Sequence, residues 1–196
     1  MTRGAEITRS TGETDVRVSL ALDGTGGGSR HTGVGFLDHM LDLLARHAHF
    51  DLDVQAAGDL QTGAHHTVED VAICIGQALD RALGDRAGIS RYGQATIPMD
   101  EARASCAIDI SGRGLVVFSG QLLPGAIGNF DHELVEEFMR ALATNARLTL
   151  HLTIESGSNV HHMIEAVFKA LARALRVATA IDPGENGVPS TKGTLT

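Results

Sequence analysis

The sequence predicts an α+β fold built by internal duplication: two similar halves, each a mixed sheet with helices on one face. Three observations carry this reading. The stretch "HHTVED" at residues 65–70 returns as "HHMIEA" at 161–166, 96 residues later. Two further stretches recur in the same order upstream of each copy. In both copies the apolar spacing switches between strand-like alternation and helical periodicity at corresponding places.

Each element follows from its pattern. "DVRVSLALDG" alternates apolar and polar residues and stops at a glycine turn, as a strand does, and "RASCAIDISG" repeats it at an offset of 88. The glycine-rich "DGTGGGSRHTG" that follows reads as a surface loop, because its spacing matches neither phosphate-loop nor dinucleotide patterns. "FLDHMLDLLARHAHFDLDVQ" reads as a helix leading into a strand and falls on "LVEEFMRALATNARLTLHLT" at an offset of 98. Leu37, Met40, Leu41 and Leu44 then lie over Val135, Phe138, Met139 and Leu142. The helix opened by "HHTVED" carries Val68, Val71, Ile75 and Leu79 where the second carries Ile164, Val167, Leu171 and Leu175, the same buried stripe. Each half is thus strand, strand, helix, strand, helix. The seam falls near "LGDRAGISRYG", giving repeats of about 3–90 and 91–182. Halves of this size are marginal alone, so residues 1–196 are expected to pack as a single domain.

Composition narrows the function. The apolar content of 43% supports a substantial core, and the net charge of −8 argues against nucleic acid and anionic membrane as partners. A local basic cluster can still hold a small anion. Cys74 and Cys106 lie in apolar stretches and read as reduced core thiols. "MTRGAEITRS" lacks the apolar stretch of a signal peptide, and no apolar run is long enough to span a membrane. The expected location is cytoplasmic.

The paired histidines point to metal. Successive helical residues are rotated by roughly 100°, so His65 and His66 cannot easily serve one ion. Glu69 follows His65 by four residues and shares its face; Glu165 stands likewise to His161. Adding His39 in "FLDHM" and its repeat counterpart Glu137, one expected ligand set is His65, Glu69, His161 and Glu165. The other is His39, His66, His162 and Glu137. His31, His47, His49, His132 and His151 have no such support. Imidazole and carboxylate ligands suit Mn, Fe, Zn or Ni, and the oxygen-rich, cysteine-free set favours a six-coordinate ion such as Mn²⁺ over structural zinc. These ligands alone leave open a dinuclear hydrolase, which would attack a phosphate or amide with a bridging water. They also leave open a non-catalytic protein that uses metal for storage or assembly.

The chain resembles the imidazoleglycerol-phosphate dehydratase family of histidine biosynthesis. The resemblance runs from about Glu6 onward through "ALDGTG", "FLDHML", "HHTVED", "GISRYG", "MDEA", "DISGRG", "HHMIEAVFKALARALR" and "PSTKG". It implies a ribosomal protein S5 domain 2-like fold, and dehydration of imidazole glycerol phosphate to imidazole acetol phosphate with two Mn²⁺ ions per active site. It also implies a 24-subunit shell with metal sites at subunit contacts. The eight ligands carry over by motif, except that many relatives have a histidine in "EHF" where this chain has Glu137 in "VEEFM". Phosphate-binding positions match Arg91, Arg113, Lys169, Ser190, Thr191 and Lys192. Substrate contacts extend to Glu13 in "GETDV", His39, His47, His65, Glu69 and His161.

The implied chemistry needs the ring's help, because the proton to be lost does not lie beside a carbonyl. A metal on a ring nitrogen stabilises imidazolate, whose electrons assist departure of the ring-side hydroxyl. A carboxylate then takes the proton from the neighbouring carbon, and the enol becomes a ketone. Glu13 is the expected base, with Glu165 as a second catalytic carboxylate. Residues 183–196 are expected to form a mobile substrate-binding tail that orders on the phosphate.

Overall fold

The computed structural model describes residues 3–195; the outer residues of the expected 1–196 domain, Met1, Thr2 and Thr196, lie outside the described residues. The first half runs β1 (Gly4–Ser10), β2 (Thr14–Ala21), β3 (Arg30–His31), α1 (Gly35–Ala48), β4 (Asp51–Gly58) and α2 (His65–Leu83). The second runs β5 (Tyr92–Met99), β6 (Ala102–Asp109), β7 (Leu115–Ser119), β8 (Ala126–Ile127), β9 (Phe130–Asp131), α3 (Leu134–Ala146), β10 (Thr149–Ser156) and α4 (Val160–Ala178).

Two four-stranded sheets result, ordered β1-β2-β4-β3 and β5-β6-β10-β7, so the halves share one topology. In the first, Val18 of β2 stands opposite Ile7 and Val54 in antiparallel pairing. In the second, Cys106 of β6 stands opposite Ala95 and Leu152 in the same way. The fourth strand of each sheet runs parallel to its neighbour: β3 to β4 and β7 to β10. A parallel pair needs a crossover, and α1 and α3 supply it.

These parallel strands are where sequence and structure differ. The sequence predicts two strands before the first helix of each half; in the structure a third strand of the main sheet, β3 or β7, also precedes it. β3 has only two residues, too few for an alternating signature. β7 lies at a sheet edge with Leu115 and Val117 exposed, so it lacks the buried-face alternation that marks a strand. The second half also contains the β8–β9 hairpin, which accounts for the growth in repeat offset from 88 to 98.

Burial follows the strand period. β2 buries Thr14, Val16, Val18 and Leu20 and turns the residues between them to solvent. Helix α2 covers β1 and β2, and α4 covers β5 and β6. The remaining packing crosses between halves: α1 lies on α4, and α3 lies on α2. One hydrophobic core therefore joins both halves. At its centre the rings of Phe138 and Phe168 meet at 5.2 Å between centroids. Each such side chain contributes about 1.5–3 kcal/mol by leaving water. The α2–α3 approach is close enough that a Cβ at Gly76 would sit 2.7 Å from the Leu142 carbonyl oxygen.

The crossed helix pairing is what positions the site. The glycine-rich loop is drawn onto the start of β4, where Asp51 accepts from the N–H groups of Thr25 at 2.9 Å and Gly27 at 2.8 Å. Gly28 has φ +100° and no room for a side chain, its Cβ position lying 2.2 Å from the Leu52 carbonyl. The loop is a fixed surface feature that feeds the chain into α1. Helix α1 then presents one face to α4, and that face carries His39.

Candidate active site

Phe36, Leu37, Met40 and Leu41 are buried on α1, which leaves His39 at the edge of the apolar stripe facing α4. Its Nε2 lies 3.0 Å from Glu165 Oε1. His161 Nε2 lies 3.0 Å from the same oxygen. The His161 ring is set by an edge contact with Phe36, 5.0 Å between centroids. Its helix is capped by Asn159, whose side chain accepts from the His161 N–H at 3.0 Å. Lys169, one turn beyond Glu165, places Nζ 2.6 Å from Oε2.

Glu165 is almost fully buried. Burial pushes its pKa up, but hydrogen bonds from Lys169, His39 and His161 win and hold it down at about 2. Ligand atoms of His39, His161 and Glu165 all lie within 4.8 Å of one another, the one such group of three among the described residues.

This cluster brings His39 of one expected ligand set beside His161 and Glu165 of the other. Within one chain His39 stands with His161 and Glu165, not with His66 and His162. The cause is the crossed packing: α1 meets the face of α4 that bears the first histidine and the glutamate of its motif. Helix α3 packs on α2 in the same way, so Glu137, at the position matching His39, belongs with the helix of His65 and Glu69. His65 Nε2 and Glu69 Oε2 are 4.0 Å apart, with side chains about half exposed. Glu137 makes no side-chain hydrogen bond or ion pair among the described residues.

The second histidine of each pair points away, as the helical rotation requires. The His65 and His66 rings are inclined at 89°, and those of His161 and His162 at 88°. Each second histidine meets a carboxylate through Nδ1. His66 Nδ1 is 3.0 Å from Asp59 Oδ2, and His162 Nδ1 is 2.8 Å from Glu101 Oε2. Asp59 raises the pKa of His66, and Glu101 raises that of His162. Glu101 itself is held down at about 2 by His162 and by the N–H groups of Asn159 and Ser158. A carboxylate on one ring nitrogen fixes the tautomer and frees the other nitrogen for an ion.

Asp59 and Glu101 have no place in the sequence reading. The repeat contained a signal for Glu101: it follows Glu13 by 88 residues, the offset of the strands. Glu13 sits on the β1–β2 turn, its Oε1 3.8 Å from His66 Nε2. That turn is braced by buried Asp70, which accepts from Arg9 Nε at 2.8 Å and from the Thr14 hydroxyl.

The expected phosphate residues converge elsewhere. Arg91, Arg113, Ser190, Thr191 and Lys192 all line one open cleft of about 840 Å³. Arg91 donates to both oxygens of Asp109, at 2.8 and 3.2 Å. Asp109 raises its pKa, and Arg91 remains a fixed positive charge facing the cleft. Lys169 does not line this cleft; it stands with Glu165. His47 lies in a separate small hollow with Arg46, His49 and Arg173. There, burial, then Lys169 and Arg173, push its pKa down.

Cys74 and Cys106 are both buried and free. His132 is buried with Nδ1 2.7 Å from the Leu123 carbonyl, and His49 closes α1 in a left-handed conformation at φ 61°.

A sequence model of imidazoleglycerol-phosphate dehydratase matches residues 32–175. The imidazoleglycerol-phosphate dehydratase of Azorhizobium caulinodans is 58% identical over 194 residues, covering 98% of each chain. That of Moorella thermoacetica is 53% identical over 195 residues and covers all of both chains. Among solved structures, imidazoleglycerol-phosphate dehydratase from Staphylococcus aureus superposes with a TM-score of 0.83 at 42% identity, covering 91% of this chain and 99% of its own. The enzyme from Pyrococcus furiosus superposes at 0.82 with 36% identity, covering 96% and 100%. Similarity of this extent, over the segment that carries both histidine pairs, shows that the chain belongs to the imidazoleglycerol-phosphate dehydratase family, hydro-lyases of histidine biosynthesis.

Proposed function

We propose that this protein dehydrates imidazole glycerol phosphate to imidazole acetol phosphate, using two Mn²⁺ ions per active site. The observation that carries this reading is the convergence of His39, His161 and Glu165. At the starts of α2 and α4, Asp59 and Glu101 engage Nδ1 of His66 and His162, which leaves Nε2 of each to face outward as a donor atom. Imidazole backed by carboxylate is how proteins prepare histidine for a metal. The mixed nitrogen and oxygen donors fit Mn²⁺. The proposed ligands are His39, His65, His66, Glu69, Glu137, His161, His162 and Glu165.

When bound, the ions would hold the imidazole ring and stabilise its deprotonated form. The remaining work falls to side chains. Arg91, Arg113, Ser190, Thr191 and Lys192 bind the phosphate; guanidinium groups suit its geometry and lysine adds point charge. The two carboxylates expected to be catalytic divide by environment. Glu165 is held ionised by Lys169 and two imidazoles, which makes it a weak proton acceptor and a good ligand. Glu13 is exposed on the β1–β2 turn, its Oε1 3.8 Å from His66 Nε2, and in this reading one of its oxygens takes the proton from the carbon next to the departing hydroxyl. Lys169 fixes Glu165 and adds positive charge near the ring.

The cleft and the histidine clusters share no residue within one chain. A substrate spanning both functions therefore favours self-association, and we propose the 24-subunit shell of the family, located in the cytoplasm. The test uses purified protein, Mn²⁺ and imidazole glycerol phosphate. Formation of an enolisable ketone supports the dehydratase. Release of inorganic phosphate would favour a hydrolase, and metal-dependent assembly without turnover would favour a structural role.

A further inference from the structure

Residues 183–195 fold back across the joint between α2 and β5. The Gly88 N–H donates to the Gly187 carbonyl at 2.7 Å, and the Asp182 N–H donates to the Gly88 carbonyl at 2.9 Å. Two arginines of the joint then grip the segment on either side of its polar tip. Arg91 Nη1 donates to the Pro189 carbonyl at 2.7 Å. Arg86 Nη1 donates to the Leu195 carbonyl at 2.5 Å. Ser190, Thr191 and Lys192 lie between these two anchors.

Arg91 lines the cleft and Arg86 does not. Arg86 is only 4% exposed, and its other terminal nitrogen pairs with Asp80 at the end of α2. A guanidinium buried this deeply is not a solvated surface charge, and it persists only where its partners hold it. Its backbone is also left-handed, at φ 62°, a conformation that long side chains rarely adopt. Leu195 beside it is 6% exposed. A buried arginine just past α2, paired with Asp80 at the end of that helix, thus also binds a backbone carbonyl just past the phosphate-binding residues.

We infer that Arg86 is a positioning residue for the anion end of the substrate. By holding Leu195, it keeps Ser190, Thr191 and Lys192 folded over Arg91 and Arg113. This rests on reading the cleft as the phosphate site. Losing a charge-assisted hydrogen bond that preorganises binding corresponds to about a tenfold loss of affinity.

The test uses the full-length assembled enzyme with Mn²⁺. Arg86→Ala should raise KM about tenfold and raise the inhibition constant of inorganic phosphate in parallel, while kcat at saturation stays within about twofold. Amide exchange at residues 188–195 should accelerate, and Arg86→Lys, which keeps a donor, should recover part of each effect. If Arg86→Ala does not fold, Leu195→Ala, which leaves Arg86 and Asp80 in place but removes the buried side chain that seats this carbonyl, should show the same split to a smaller degree. A fall in kcat with KM unchanged would overturn the inference, as would unaltered phosphate inhibition in a variant whose wild type is inhibited. A wild type that inorganic phosphate does not inhibit would overturn the phosphate reading of the cleft as well.

Discussion

Helices α2 and α4 carry the same motif in opposite surroundings. On α4, Glu165 is buried among His39, His161 and Lys169. On α2, Glu69 is half exposed and faces the His65 imidazole at 4.0 Å. Two substitutions in the repeat cause the contrast. The position of Lys169 is filled by Ile73, and the position of His39 by Glu137. One copy brings its own counter-charge. The other presents its glutamate without one, and under the proposed reading Mn²⁺ would supply that charge. The hairpin turns differ in the same spirit. Glu101 is engaged by His162 at 2.8 Å, whereas Glu13, on a longer turn braced by Asp70, stays 3.8 Å from His66. Duplication supplied two similar scaffolds, and a few substitutions divided the labour between them.

The largest expected effect tests that division at the turns. Glu13→Gln should lower turnover by about 10²–10⁴-fold, the range for loss of a general base, with Mn²⁺ content unchanged by metal analysis. Full activity would remove Glu13 from the chemistry. Its repeat counterpart should behave differently: Glu101→Gln, like Asp59→Asn, should weaken Mn²⁺ affinity by about 10–100-fold through loss of histidine orientation. Equal kinetic signatures for Glu13 and Glu101 would erase the contrast between the halves.

A smaller effect is expected at Glu137. Glu137→Ala should weaken Mn²⁺ binding by about tenfold at one of the two sites, and Glu137→His should restore it; calorimetric titration resolves the two. Affinity indifferent to both changes would exclude Glu137 as a ligand. The smallest effect concerns the core. Burial pushes the Cys74 thiol up to about 11 and raises that of Cys106 further, so neither should react with an alkylating reagent at neutral pH unless the protein is first unfolded. Rapid labelling of the native enzyme would contradict the packing of α2 and β6.

What the sequence makes legible follows from periodicity. The buried stripes of all four helices and the inner faces of β2, β4, β6 and β10 are visible in the spacing of apolar residues, because each faces a core on one side only. β3 and β7 are not: one is two residues long and the other exposes Leu115 and Val117 at an edge. The divergence of His65 from His66 is a property of any helix and could be foreseen. The pairing of His39 with His161 and Glu165 could not, because it depends on α1 crossing to the other half's helix. Asp59 and Arg86 were hidden for a similar reason. Each acts through a contact that a loop creates, and no spacing rule connects Arg86 with Leu195.

The most direct test of the whole account is turnover of imidazole glycerol phosphate by chelator-stripped protein as Mn²⁺ is added back. The account predicts no ketone without metal, and activity that rises until two ions are bound per chain, with no release of inorganic phosphate. Full dehydration by the stripped protein, or phosphate release in place of ketone, would contradict it.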